Sequence, residues 1–137
     1  MIIWKYKIIL VDLNTKEALP AQVEVDEAET TDNITIHAVV VKQDITSSDY
    51  NYLTTYQAFR DKLLVLGYGI KCNGSRLNAV QSGMMSATDK VYIVEIGKQA
   101  LAKDIVHIWD YADIDTFPDM KQQQDFLELW TSHLSRK

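Results

Sequence analysis

The sequence contains one cysteine, two prolines and no long hydrophobic run. A single thiol excludes an intramolecular disulfide and a zinc site built mainly from cysteines. No stretch approaches the ~18 apolar residues of a membrane-spanning helix, so no membrane partner is expected. The opening residues MIIWKYKIILVDLNTK lack the layout of a secretory signal. Lys5 and Lys7 interrupt their apolar character, and no small-residue cleavage site follows. A reducing cytoplasm is the expected location, where glycosylation matches at Asn33 and Asn73 are chance. Basic charge is also scarce, with 14 Lys and Arg against 19 Asp and Glu and a net charge of −5. A nucleic-acid binder needs a basic stripe to displace counterions, so no nucleic-acid partner is expected. The same acidity suits a basic protein partner, because opposite fields steer association. The three histidines form no His-x-x-x-His or Glu-x-x-His spacing. No metal site or other cofactor is implied. Repeats, low-complexity tracts and linkers are absent as well.

What remains is ordinary globular material. The 137 residues suit a single domain spanning residues 1–137, with 47% hydrophobic and 24% charged residues. Such a chain buries about two-thirds of its unfolded surface.

Periodicity organises the chain. In Trp4–Leu13, apolar Trp4, Tyr6 and Ile8 alternate with Lys5 and Lys7, the pattern of a half-buried strand. A second strand is predicted over Ala21–Asp26, after Pro20 limits continuation. A third covers Ile34–Val41, rich in β-branched residues. The polar connection between these two contains Glu29 and Asp32. Tyr52, Tyr56, Phe59, Leu63 and Leu66 then recur at helical spacing. Ser47, Ser48 or Asp49 are expected to cap that helix, and Gly67 or Gly69 to end it. Ile70–Cys72 reads as a short strand, Asn73-Gly74 as a turn with positive φ, and Lys90–Ile96 as a strand. Ala100–Ile108 fits either a helix or a strand. A terminal helix is expected after Asp113–Thr116, with Pro118 in its first turn and a stripe of Met120, Leu127, Trp130 and Leu134. The predicted class is α+β: a single antiparallel or mixed sheet, a packed central helix and a C-terminal helix.

The chemistry concentrates in KCNGSR, Lys71–Arg76, and the following SGMM, Ser82–Met85. Cys72 as a nucleophile would need a cation and a base, with Lys71, Arg76 and His107 as candidates. The amides of Gly74 and Ser75, with Arg76, are one way to hold an anion. The bland alternative is a turn at a strand end, and no catalytic residue is assigned. Tyr50, Tyr52, Tyr56, Trp109 and Trp130 read either as an interface or as core. Two acidic clusters read either as solvated edges or as cover for a basic partner. One comprises Asp104, Asp110, Asp113, Asp115 and Asp119. The other comprises Glu24, Asp26, Glu27, Glu29 and Asp32.

The segment from about Tyr68 to Ala112 resembles a family of small, acidic, mostly uncharacterised bacterial proteins. Their pattern is a strand, Cys-Asn-Gly-Ser-Arg, a spacer, Ser-Gly-Met, a strand ending in Gly-Lys, and an acidic segment with an aromatic residue before Asp. The matching positions are Cys72–Arg76, Ser82–Met84, Gly97-Lys98 and Trp109-Asp110. The spacer Leu77–Gln81 departs from the more polar family pattern. These proteins look like immunity proteins of contact-dependent or other polymorphic toxin systems. The resemblance implies a non-enzymatic protein that binds and neutralises a cognate toxin domain of basic character. It points to Cys72, Asn73, Ser75, Arg76, Ser82, Met84, Trp109 and Asp110 as binding residues. Two alternatives stand beside it. One is a small enzyme or ligand-binding domain using the Cys72–Met84 loop. The other is a subunit that forms a homodimer through a sheet edge.

Overall fold

A computed structural model describes residues 2–27 and 33–134. Glu29 and Asp32 of the upstream acidic cluster lie outside the described residues. The chain forms β1 (Ile2–Asp12), β2 (Ala18–Glu27), β3 (Ile34–Val40), β4 (Gln43–Asp49), α1 (Tyr52–Val65), β5 (Tyr68–Ile70), β6 (Ala79–Val80), β7 (Lys90–Ile93), β8 (Ile105–His107) and α2 (Met120–Leu134). The class is α+β, but the strands divide between two sheets. One has the order β4-β3-β2-β1-β5 and the other β6-β7-β8. All pairings are antiparallel.

The large sheet follows from alternation. Ile8 and Leu10 of β1, Val23 and Val25 of β2, and Ile34, Ile36, Ala38 and Val40 of β3 share the buried face. Tyr52, Tyr56, Phe59 and Leu63 of α1 pack into the same core. A one-residue slip would turn every one of these strand positions outward, which fixes the register. β2 runs straight through Pro20, contrary to expectation. Pro20 opposes Ile9 of β1 in the part of β2 that β3 does not reach. A missing N–H is tolerated at such an edge.

β4 corrects a second expectation. Ser47, Ser48 and Asp49 belong to this edge strand and do not cap α1. The hairpin before it is made by Val41 (φ 49°) and Lys42 (φ 66°), an unusual pair for left-handed backbone. The first α1 amides find other partners: Tyr52 donates to the Ser86 carbonyl at 2.7 Å and Leu53 to Gln81 Oε1 at 3.3 Å. Gly67, with φ 94°, ends the helix as expected. Lys62 of α1 donates to the Thr46 carbonyl of β4 and so guards the sheet edge.

The second half is built from short pieces. Two residues form β6 and three form β8. Residues 102–104 form a 3₁₀ turn before β8, which resolves the ambiguity over Ala100–Ile108 in favour of a strand at its end. β7 stops at Ile93 and not Ile96. Pro118 is buried and lies two residues before α2. Among the described residues no helix is long and apolar enough to cross a membrane.

Candidate functional site

Tyr56 is the anchor of the KCNGSR segment. It sits on the buried face of α1, with its hydroxyl 3.1 Å from Cys72 Sγ and 2.5 Å from Ser75 Oγ. Burial pushes the Cys72 thiol above its usual value, against the hydrogen bonds around it. Burial raises the Tyr56 phenol too, and the neighbouring Cys72 adds to the effect. The expected helpers of Cys72 are engaged elsewhere. Lys71 pairs with Asp113 at 3.0 Å, Arg76 donates to Asn73 Oδ1 at 3.1 Å, and His107 lies 3.0 Å from Asp89.

Asn73–Ser75 is a 3₁₀ turn in which neither Asn73 nor Gly74 has positive φ, contrary to the expected turn. Glycine is needed here for space. A Cβ on Gly74 would lie 2.8 Å from Ile108 Cγ2 and 2.9 Å from Tyr56 Cε2. The amides considered for anion binding are bonded to carbonyls: Gly74 donates to Ile108 and Ser75 to Cys72, each at 3.0 Å.

The turn is stitched to the segment after β8. Asn73 N–H donates to the Asp110 carbonyl at 3.0 Å, and Asn73 Nδ2 to that of His107 at 3.1 Å. Cys72 and Tyr111 form an isolated antiparallel bridge. The structure therefore brings Cys72, Asn73, Ser75 and Arg76 together with Trp109 and Asp110, more than thirty residues downstream in sequence. Trp109 is buried and donates to Tyr52 Oη at 2.8 Å. Tyr52, Tyr56 and Trp109 are thus core residues, while Tyr50 is 69% exposed. Ser82 and Met84 stand apart on the loop beyond β6. Met84 is 98% exposed, and Ser82 lines a groove of about 240 Å³ with Gln57, Gln81 and Leu127.

Beyond the stitch, the chain emerges as a ridge. Asp110, Tyr111, Asp113 and Asp115 are exposed. Lys71 Nζ lies 5.7 Å from the centre of the Tyr111 ring while it pairs with Asp113, whose carboxyl this ammonium holds below the usual range. Among the described residues, Asp110 and Asp115 form no ion pair. Of the other acids in this cluster, Asp104 accepts from the Leu101 amide and Asp119 from the Gln122 amide.

A polar plug supports the turn from behind, and no sequence pattern marks it. Gln123 is the buried residue of α2. Its Oε1 accepts from Arg60 Nη2 at 2.6 Å and Gln57 Nε2 at 3.1 Å. Its Nε2 donates to the carbonyls of Gly74 at 2.9 Å and Arg76 at 2.7 Å. Arg60 is fully buried and reaches Asp61 at 2.8 Å. The Asp61 carboxylate also accepts from the Met120 amide, the start of α2. Nothing in a run of three glutamines marks the middle one as buried.

Among the described residues, no group of three or more His, Cys, Asp or Glu side chains is arranged to hold a metal ion. No protein-family model matches the chain, and no curated protein matches its sequence.

Proposed function

We propose that this chain is a cytoplasmic immunity protein that binds and neutralises a cognate bacterial toxin domain, of the contact-dependent growth inhibition type. The observation that carries the reading is the Asp110–Asp115 ridge. It presents Asp110 and Asp115, without ion pairs among the described residues, around an exposed tyrosine, on backbone pinned by the Cys72–Gly74 turn. Aromatic side chains flanked by charge are efficient anchors for a protein partner, and pinned backbone loses little entropy on binding. An acidic ridge complements a basic toxin domain and speeds encounter. The likeness of KCNGSR, SGM and Trp109-Asp110 to small acidic immunity proteins supports the same reading.

The competing reading is a small enzyme or ligand-binding domain using the Cys72–Met84 loop. It has less to draw on. Cys72 and Ser75 are sealed from solvent, and the turn amides are engaged. It retains only the groove beside Ser82.

The decisive experiment is co-expression with a toxic domain encoded beside the gene, where the locus holds one, scoring survival and co-purification. Rescue with co-purification is expected. Tyr111→Ala should weaken the complex by about 2 kcal/mol or more. Lysine at both Asp110 and Asp115 should abolish rescue while the thermal transition stays in place. Full toxin activity at saturating protein would overturn the proposal.

A further inference from the structure

A second acidic and aromatic surface lies at the opening of the large sheet, around the first residues of β1 and the last of β2. Trp4, Tyr6, Ile8 and Leu10 alternate on the core-facing side of β1. Ile8 and Leu10 are covered, but Trp4 is 49% exposed and Tyr6 is half-buried. Trp4 opposes Val25, so Glu27 lies two residues further along the same face of β2 and diagonal to the indole. Trp109 backs the Tyr6 ring, with centroids 5.6 Å apart and planes 23° from parallel. Asp89 is tied to the segment that carries Trp109 towards this ring. Its carbonyl accepts from the Ile108 amide at 2.7 Å, one residue before Trp109, and its side chain is 22% exposed.

Among the described residues, neither carboxylate has a lysine or arginine partner; Asp89 meets only His107. Lys5 and Lys7 project from the opposite face of β1. The Glu27 carboxyl is held above the usual carboxylate range by partial burial. The Trp4 indole opposes that effect and the nearby Asp89 charge adds to it. A carboxylate without an ion pair among the described residues (Glu27) and one that meets only a histidine (Asp89), beside an exposed indole and a phenol ring backed by a second ring, are matched to a cation that brings its own apolar stem.

We infer that Trp4, Tyr6, Glu27 and Asp89 form a seat for a lysine or arginine side chain of a protein partner. The stem would lie along Trp4 and Tyr6, and the head would reach Glu27 and Asp89. The proposal draws on the toxin-binding reading only in naming a protein as the source of the cation. Its test needs no toxin, so the two fail separately.

The test is an NMR titration of the ¹⁵N-labelled full chain with the N-acetyl, N′-methylamide derivatives of lysine and arginine. The corresponding glutamate compound and tetramethylammonium serve as controls. Saturable shifts are expected at the Trp4 indole N–H and at the amides of Tyr6, Glu27 and Asp89. Glu27→Gln combined with Asp89→Asn should weaken binding about tenfold. Trp4→Ala, at an exposed position that leaves the fold intact, should do the same and covers the case in which the double variant unfolds. Equal shifts with the glutamate compound would overturn the proposal. So would shifts confined to Asp110–Asp115, an unchanged response in Trp4→Ala, or binding of tetramethylammonium alone.

Discussion

The large sheet with α1 and the part from Lys71 to Leu134 are held together in different ways. In the first, long regular elements bury one apolar face each, and the interior is Ile, Leu, Val, Phe and Tyr rings. In the second, strands of two to four residues surround buried polar groups: Asn73, Ser75 and Gln123, with Arg60 reaching in from α1. Apolar packing tolerates small shifts, because it is non-directional. A buried hydrogen-bonded plug does not, since a displaced member leaves unpaired groups behind. The shape of the turn under the ridge therefore rests on directional bonds, and the support for the ridge's backbone is as specific as those bonds.

Truncating one anchor in each region tests this contrast. Phe59→Ala should cost about 3–5 kcal/mol in urea unfolding, the usual effect of deleting a buried ring. Gln123→Ala should cost about 2–4 kcal/mol, because the Arg60 guanidinium and two carbonyls lose partners. The two should differ in their spread as well as their size. Phe59→Ala should perturb the core broadly, whereas Gln123→Ala should raise amide exchange mainly at Asn73–Arg76 and in α2. A cost below about 1 kcal/mol for Gln123→Ala would show that the plug is dispensable.

Alkaline pH strikes the seam between the regions. Burial raises the proton affinity of Cys72, Tyr52 and Tyr56, and each is charged only when deprotonated. The folded chain thus holds protons that the unfolded chain releases. Their contribution is complete below the ordinary thiol value of 9.0 and declines as pH rises through that value and past the tyrosine value of 10.0. Each group contributes a slope of at most about 1.4 kcal/mol per pH unit. Urea midpoints should therefore fall steeply above about pH 9, and Cys72→Ala should delay the fall. A flat profile up to about pH 10.5 would contradict the sealed interior described for these three groups.

The smallest expected effect sharpens the comparison from the other side. Val41 and Lys42 hold positive φ in the β3–β4 hairpin. Replacing them with Asn and Gly should stabilise the chain by about 0.5–1 kcal/mol, read as a higher urea midpoint. Destabilisation would mean that the two side chains contribute more than their backbone strain costs.

The hairpin also shows why β4 was illegible. Its turn lacks Asn-Gly, and its sequence QDITSSD places only Ile45 and Ser47 inward, so three hydroxyl and carboxylate residues passed for a helix cap. Within the candidate site, KCNGSR and Trp109-Asp110 were legible as chemistry but not as neighbours. Ser82 and Met84 were adjacent to them in sequence and not in space. Tyr111 carries no sequence signal, because nothing in the sequence separates an exposed tyrosine from a buried one.

By itself, the sequence determined β1, β2, β3 and α1, within a few residues at their ends. One buried face imposes a period of two or of 3.6, and that period is written locally. Tertiary structure alone decided the division into two sheets, the need for glycine at position 74 and the burial of Arg60 and Gln123. Each depends on partners tens of residues away, and short elements with polar interiors carry no period from which those partners can be read.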